Sequence, residues 1–227
     1  MKPYLQSKKY MQGEVIMDKY IEPDFTRSVV VIIDMQNDFV LPNAISEIPG
    51  SYEVISNILK ILNKARNNNI EIIHVIRLYE PNGLNVDICR RTIIQNGTKI
   101  VCPYTNGADI VAELKPNKQQ LNFNQLLAGE IQNISEKEWV IYKPRWGAFY
   151  KTKLEEFLLS KNLNTLIFIG CNFPNCPRAS IYEASARDFK IVLGIDAISQ
   201  IYPKGLEEMK NIGVSLMTTK EIIDNFN

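Results

Sequence analysis

The sequence lacks several features that would direct it to a membrane, to export or to a metal cluster. No run of 18 apolar residues occurs, so we predict no membrane-spanning segment and no membrane partner. The first 20 residues are polar and lack the apolar core of a signal peptide. The four cysteines form no Cys-x-x-Cys pair of the zinc-binding kind, which favours a reduced, cytoplasmic protein.

An excess of charge of one sign is also absent. The chain has 26 Lys and Arg residues and 25 Asp and Glu residues, and the two signs are interleaved. We therefore predict no nucleic-acid partner and no strongly acidic partner. The 227 residues contain no internal repeat and no low-complexity tract, and this length favours one α/β domain.

Apolar runs alternate with amphipathic segments along the chain. Ser28–Ile33 is a β-branched run, 52–68 has apolar residues at helical spacing, and 70–76 is a second apolar run. Continuous apolar strands are typical of parallel sheets covered on both faces. Further strands are predicted at 139–142, 165–169, 190–195 and 214–217, and further helices at 148–159, 179–188, 205–211 and 220–226. We predict an α/β fold with a doubly wound, mostly parallel sheet of six strands in three layers.

Two segments do not follow this alternation. Residues 1–27 are a polar and aromatic leader, which we predict to be an N-terminal arm on a single domain at 28–227. Residues 84–137 have weak periodicity, and we predict an insertion at the rim of the sheet with a short helix over 108–114.

The loop between the strand at 165–169 and the following helix contains Cys171 and Cys176. Pro177 suits the first helical position and disfavours helical geometry at the residue before it. Cys176 is therefore predicted to be the N-cap, at the positive end of the helix dipole, where the pKa of its thiol should fall. A buried structural cysteine is the alternative. A redox pair is disfavoured, because the spacing is not Cys-x-x-Cys.

Two charged residues end other predicted strands. Asp34 follows the first strand and Lys143 follows the third, and ligands of such sheets bind at the carboxyl ends of the strands. We predict a triad in which Cys176 attacks a carbonyl carbon and Asp34 moves the thiol proton to the leaving group. Lys143 is predicted to keep the carboxylate ionised and to stabilise the thiolate. The ordinary alternatives are a turn role for Asp34 and a solvated side chain for Lys143.

Several blocks of sequence, taken in order, carry a family resemblance. They are Val31–Phe39, the lysine and aromatic turn at Lys143–Phe149, the spacing from Gly170 to Cys176, and the C-terminal landmarks Gly194–Ala197 and Thr218–Glu221. Together these blocks resemble the signatures of the isochorismatase-like cysteine hydrolases, and they span nearly the whole predicted domain.

The resemblance implies the predicted fold and the same triad of Asp34, Lys143 and Cys176. It also implies an oxyanion hole formed by the backbone N–H groups of Asn172 and Cys176, with a cis peptide bond between Cys171 and Asn172. Two amides near the thiol would each stabilise a tetrahedral intermediate by about 3 kcal/mol.

Members of this family differ in chemistry. Nicotinamidases bind a metal through an Asp-x-His motif and a further histidine, whereas this chain has one histidine, His74, inside an apolar strand. We predict a structural role for His74, no metal and no other cofactor. The presence of Cys176 favours hydrolysis of an amide, carbamoyl or ureido C–N bond of a small-molecule substrate through a thioester. The alternatives are an isochorismatase-type hydrolase of another small substrate and a non-catalytic binding or assembly member.

Arginine and aromatic residues flank the predicted triad, and each also has an ordinary structural role as an alternative. A guanidinium suits a substrate carboxylate by bidentate pairing, and aromatic rings suit an apolar wall. The candidate substrate contacts are Phe39, Arg77, Arg145, Trp146, Phe173 and Arg178. Since such domains often pair, we also expect a homo-oligomer, either a dimer or a tetramer.

Overall fold

The computed structural model describes residues 9–11, 14–16 and 18–226. Strand β1 (Lys9–Met11) pairs antiparallel with strand β2 (Glu14–Ile16), and this hairpin is separate from the main sheet. The predicted arm at 1–27 therefore lies partly outside the described residues. Its last described part is a 3-10 turn at Phe25–Arg27, which leads directly into the main sheet.

Seven strands form the main sheet. They are β3 (Ser28–Ile33), β4 (Glu71–Ile76), β5 (Gln132–Ser135), β6 (Glu138–Tyr142), β7 (Thr165–Gly170), β8 (Lys190–Ile198) and β9 (Ser215–Met217). Their spatial order is β5-β6-β4-β3-β7-β8-β9, and every neighbouring pair is parallel except β5 and β6. The predicted doubly wound parallel sheet is confirmed.

The predicted strand number of six is one too low. The additional strand, β5, is an edge strand of sequence Gln-Asn-Ile-Ser inside the predicted insertion at 84–137. As an edge strand, β5 pairs only with β6 on one side, and its other side faces away from the sheet. A strand in this position does not need a continuous apolar run, so its hydrophobic signal in the sequence is weak.

Helices cover both faces of this sheet. They are α1 (Asn37–Val40), α2 (Ile55–Asn67), α3 (Ile88–Gln95), α4 (Phe123–Leu127), α5 (Leu154–Ser160), α6 (Cys176–Ser185), α7 (Pro203–Asn211) and α8 (Thr219–Asp224). Val30 and Ile32 of β3 share one buried cluster with α2 and α8. Val29 and Val31 point to the opposite face and share a second cluster with α5, α6 and α7. The alternation gives β3 two buried faces and the fold three layers.

The predicted helix over 108–114 is wrong. The structure has two 3-10 turns instead, at Asn106–Ala108 and Ala112–Leu114. Between them Ile110 forms an isolated antiparallel bridge with Gln36, in the loop after β3. This bridge requires extended backbone, and it interrupts the helix that the local composition favours.

The predicted helix over 148–159 begins later than expected, since α5 starts at Leu154. The preceding turn is held by side chains of α6 instead. The amide of Ala148 donates to Oγ of Ser180 at 3.0 Å, and the amide of Phe149 donates to Oε2 of Glu183 at 2.8 Å. These contacts satisfy backbone groups that a helix would otherwise have paired.

Gly170 allows the end of β7 to lie very close to β3. It has a φ of +116°, and a Cβ there would overlap the backbone carbonyl oxygen of Ile33. The next amide, that of Cys171, donates to the same carbonyl at 2.9 Å. The cysteine-containing loop therefore leaves the sheet directly beside the end of β3. Among the described residues, no helix is long and apolar enough to cross a membrane.

Candidate active site

Asp34 and Lys143 form a buried ion pair at the carboxyl edge of the sheet. They follow β3 and β6, the two strands on either side of β4, and their amides donate to the β4 carbonyls of Val75 and Ile76 at 2.9 and 3.0 Å. The Nζ atom of Lys143 lies 2.9 Å from Oδ2 of Asp34, and the two side chains are 0% and 4% exposed. Asp34 has a φ of +52°, in the left-handed region, where the chain turns away from the sheet.

Cys176 is the first residue of α6, and its side chain is buried. The prediction that it is the N-cap is therefore wrong by one residue, because Asn175 occupies that position. Pro177 is consequently the second helical residue. Proline is tolerated there because the first N–H groups of a helix have no acceptor within the helix.

The predicted fall in the pKa of Cys176 is also wrong, since the pKa is raised to about 12. Burial is the largest cause, and the negative charge of Asp34 is the next. The positive charges of Lys143 and Arg77 act in the opposite direction but do not compensate. At neutral pH the resting thiol is therefore protonated, beside a carboxylate whose Oδ1 is buried and has no hydrogen-bond partner among the described residues.

The loop before the cysteine contains the cis peptide bond that the resemblance implied, between Cys171 and Asn172. The amide of Phe173 donates to the carbonyl of Ser199 at 2.9 Å and fixes the loop against the end of β8. In the described part of the chain, the amides of Asn172 and Cys176 donate no hydrogen bond to another residue. Both N–H groups are thus free for a ligand, as an oxyanion hole requires.

A cleft of about 630 Å³ lies against α6, and Cys176, Asp34 and Lys143 are not among its lining residues. Ala179 and Glu183, one and two turns beyond Cys176, form one wall, and the predicted contacts Arg145 and Trp146 form another. Its remaining lining residues are Asp87, Ile88, Cys89, Gly147 and Tyr150.

Arg77, a predicted substrate contact, is buried next to the cluster formed by Asp34, Lys143 and Cys176. Its Nη2 pairs with Oδ2 of Asp87 and lies 3.2 Å from the hydroxyl of Tyr79, whereas its Nη1 has no partner in the described chain. Burial opposes the charge of Arg77, but Tyr79, Cys176 and Asp87 together raise its pKa. Arg77 is thus a permanent cation within electrostatic range of the thiol.

Gln36 fixes the position of Arg77. Its Oε1 accepts from the amide of Arg77 at 2.7 Å, and its Nε2 donates to the carbonyls of Arg77 and Ala108 at 2.7 and 2.8 Å. Gln36 is fully buried and follows Asp34 by two residues. One side chain therefore joins the loop after β3, the end of β4 and the insertion.

Like Arg77, the other three predicted substrate contacts do not line the cleft. Phe39 is buried in the core, and Phe173 is buried against the ring of Tyr202, with 5.5 Å between the ring centroids. Arg178 pairs with Glu208 and with the hydroxyl of Tyr202. These side chains hold α1, the cysteine loop and α6 in place.

Sequence reasoning missed Asp87, which lies in the loop before α3 and follows no strand. The only signal was an acidic residue ten positions after Arg77, and such a spacing is too common to be informative. The contact arises from the fold of the insertion.

The residues do not fit a metal centre of the nicotinamidase kind. In the part of the chain that the structure describes, no group of three or more His, Cys, Asp and Glu side chains could hold a metal ion. His74 is buried within β4, and its Nε2 lies 2.7 Å from Oε1 of Glu138.

The chain is thus an α/β protein with a doubly wound sheet and a cysteine-centred site. A buried thiol, a carboxylate and an ammonium lie at the carboxyl edge of that sheet. Within this class, the Isochorismatase domain model matches residues 28–221. The chain therefore belongs to the isochorismatase family.

Curated relatives and a solved structure agree with this assignment. The chain is 29% identical over 200 residues to a "probable inactive nicotinamidase" of Arabidopsis thaliana, a match that covers 86% of this chain and 93% of that protein. It is 25% identical to an N-carbamoylsarcosine amidase of an Arthrobacter species, over 78% of this chain and 61% of that protein. The crystal structure of an isochorismatase family protein from Desulfovibrio vulgaris has a TM-score of 0.74 and 28% identity, and covers 87% of this chain and 97% of that one.

Proposed function

We propose that the protein is a cysteine hydrolase that cleaves an amide, carbamoyl or ureido C–N bond of a small molecule through a thioester. The observation that carries this proposal is the buried Lys143–Asp34 ion pair, with an open carboxylate oxygen, beside the thiol of Cys176. The similarity to an N-carbamoylsarcosine amidase supports the choice of bond.

In the proposed reaction, Asp34 accepts the proton from Sγ of Cys176 as the sulfur attacks the carbonyl carbon. The N–H groups of Asn172 and Cys176 stabilise the oxyanion that forms. Asp34 then gives the proton to the nitrogen of the leaving group, the C–N bond breaks and a thioester remains. Water then attacks the thioester, and Asp34 accepts a proton from that water. Asp34 donates this proton to the sulfur as the C–S bond breaks, which releases the acid product and restores the thiol.

Lys143 serves the acid–base residue rather than the thiol in this scheme. Because burial and the charge of Asp34 raise the pKa of Cys176, the thiolate is a minor form at neutral pH. Proton transfer to Asp34 must therefore accompany the attack. The ammonium of Lys143 pairs with Oδ2 of Asp34 at 2.9 Å and leaves Oδ1 to accept this proton.

A second candidate is a non-catalytic member that binds a small molecule without turnover. The similarity to a protein named as a probable inactive nicotinamidase favours it. Hydrolysis of a different small substrate, as by an isochorismatase, is a further alternative. The homo-oligomeric state and the cytoplasmic location remain predictions.

The test is to incubate the protein with a panel of small amides, ureido acids and carbamoyl amino acids, and to analyse rapidly acid-quenched samples by mass spectrometry. We expect ammonia or amine release and an acyl adduct on the peptide that contains Cys176. Cys176→Ala should abolish both, whereas Cys102→Ala, which alters a buried cysteine outside the site, should retain both. Turnover by Cys176→Ala would exclude the mechanism, and binding without release would favour the second candidate.

A further inference from the structure

Two buried polar atoms near Asp34, Lys143 and Cys176 take no part in the proposed reaction. Nη1 of Arg77 and Oδ1 of Asp87 both lack a hydrogen-bond partner among the described residues, although both side chains are at least 96% buried. A buried polar atom without a partner is costly and calls for an explanation such as a ligand. One of these atoms is a donor and the other is an acceptor.

The two atoms belong to a single ion pair, since Nη2 of Arg77 contacts Oδ2 of Asp87. Pairing uses one nitrogen and one oxygen and leaves the second nitrogen and the second oxygen open. The pair as a whole is electrically neutral. It therefore does not provide the uncompensated positive charge that a substrate carboxylate would require, in contrast to the expectation that Arg77 alone suggested.

The location of the pair links it to the site. Arg77 directly follows β4, between the strand ends that carry Asp34 and Lys143, and Asp87 lines the cleft that runs along α6. Trp146 lines the same cleft, and the guanidinium carbons of Arg77 and Arg90 lie 5.9 and 5.1 Å from the centroid of its ring. Arg77 itself does not line the cleft but lies directly behind Asp87, so the unbonded nitrogen and the unbonded oxygen belong to an ion pair at the wall of the cleft. An aromatic face beside an unsatisfied donor and an unsatisfied acceptor suits a planar polar group.

We propose that Nη1 of Arg77 and Oδ1 of Asp87 form a specificity site for a neutral amide or ureido group at the non-scissile end of the substrate. The carbonyl oxygen of that group accepts a hydrogen bond from Arg77, and its N–H donates one to Asp87. A carboxylate in the same place has no hydrogen to donate, and Asp87 repels it. This inference rests on the proposed function, which defines the scissile end.

The test compares two ligands that share a ureido end and differ only at the other end: N-carbamoylglycinamide, which is neutral, and N-carbamoylglycine, which is a carboxylate. Dissociation constants are measured by calorimetry in the Cys176→Ala protein, so that binding does not depend on turnover. We expect the amide to bind at least about 10-fold more tightly than the carboxylate. Equal affinity, tighter binding of the carboxylate or no binding of either ligand would overturn the proposal.

Asp87→Asn in the same background removes the negative charge and keeps the shape of the side chain. The order should then reverse, with the carboxylate at least about 10-fold tighter, because Arg77 becomes an uncompensated cation. The matched control is Glu138→Gln, which neutralises a buried carboxylate paired with a different arginine, Arg66, and should keep the preference for the amide. An unchanged preference in Asp87→Asn would overturn the proposal.

If Asp87→Asn does not fold, the double variant Arg77→Gln with Asp87→Asn replaces it, because it leaves no unpaired buried charge. Its discrimination between the two ligands should fall to within about threefold, and retained discrimination would overturn the proposal. The two proposals fail separately. Hydrolysis of both ligands at equal rates by the unmodified protein would reject the specificity site alone, whereas selective binding without hydrolysis would reject the hydrolase alone.

Discussion

Two clusters of buried charge lie at opposite ends of the same strands, and they differ in how completely their hydrogen bonds are formed. At the amino end of β6, both carboxylate oxygens of Glu138 are used: Nε2 of His74 lies 2.7 Å away, and Nε and Nη2 of Arg66 donate at 2.9 and 2.8 Å. At the carboxyl edge, Asp34 and Asp87 each have one oxygen paired and one open.

The difference separates a structural cluster from a reactive one. Burial alone would raise the pKa of Glu138, but the hydrogen bonds and charges of His74 and Arg66 outweigh it and lower the pKa. Glu138 is therefore held as an anion with no spare acceptor. Asp34 keeps an unbonded acceptor beside the thiol of Cys176, and Asp87 keeps one at the wall of the cleft. Open buried acceptors at a sheet edge are typical of functional sites.

The largest expected effect follows from removing the open acceptor beside the thiol. Asp34→Asn has nearly the same shape but cannot accept the proton of Cys176, so we expect kcat to fall by about 10³- to 10⁴-fold. Because Asp34 also raises the pKa of the thiol, that pKa should fall in the variant. Thiolate absorbance measured against pH, together with steady-state rates, gives both quantities.

Asp34→Asn removes the proton acceptor, which should slow the reaction, and lowers the pKa of the thiol, which should supply more thiolate. The second effect would dominate if the amount of thiolate alone limited the rate. In that case the variant would be faster than the unmodified protein at neutral pH. A lower thiol pKa with an undiminished kcat would therefore refute the acid–base role of Asp34.

An intermediate effect, on stability rather than on rate, is expected at the other cluster. Glu138→Gln leaves Arg66 and His74 without their anion, so we expect a loss of about 3 kcal/mol in the free energy of unfolding at neutral pH. Urea denaturation measures this loss, and kcat should stay within about twofold because the cluster lies at the other end of the sheet. A kcat that falls as far as in Asp34→Asn would remove the distinction between the clusters.

The same variant has a defined pH dependence. The pKa of Glu138 is lower in the folded protein, so its stabilising contribution is complete above the unfolded value, about pH 4.3, and is lost as the pH falls through the folded value. The stability difference between the unmodified protein and Glu138→Gln should therefore shrink below about pH 4. A difference that stays constant down to pH 3 would contradict this account.

The smallest effect is expected for a cluster that is fully bonded but exposed. Thr218 caps α8: its side chain accepts from the amide of Glu221, and the carboxylate of Glu221 accepts from the amide of Thr218 at 2.7 Å. Thr218→Ala should lower the free energy of unfolding by about 1 kcal/mol, measured by urea denaturation, with no change in kcat. A loss as large as that of Glu138→Gln would show that burial does not determine how much these hydrogen bonds contribute to stability.

The strand ends were predictable from the sequence, whereas the environment of the thiol was not. Apolar runs define β3 and β7 and therefore locate Asp34 and the cysteine loop, because both faces of these strands are buried. The pKa of Cys176 depends on burial and on the charge of Asp34, and both arise only from packing. A local argument from the helix dipole therefore gave the wrong sign.

The insertion was the least predictable region for a related reason. Its contacts are specified by single residues that follow distant strands rather than by a repeating pattern. Ile110 is held by a bridge to Gln36, and Asp87 is held by Arg77. Neither contact leaves a periodic signal in the sequence.

The buried amide of Gln36 has a mechanical consequence. Because it is bonded at once to Arg77 and to the carbonyl of Ala108, a displacement of residues 106–110 is transmitted to the backbone of Arg77. Cys176 is positioned by β7 and α6 instead, and the three hydrogen bonds of the Gln36 side chain do not reach these elements. The same segment is also bonded to the loop after Asp34, because the amide of Asn37 donates to the carbonyl of Asp109 at 3.0 Å. A change in residues 106–110 is therefore expected to reach both Arg77 and the loop that carries Asp34.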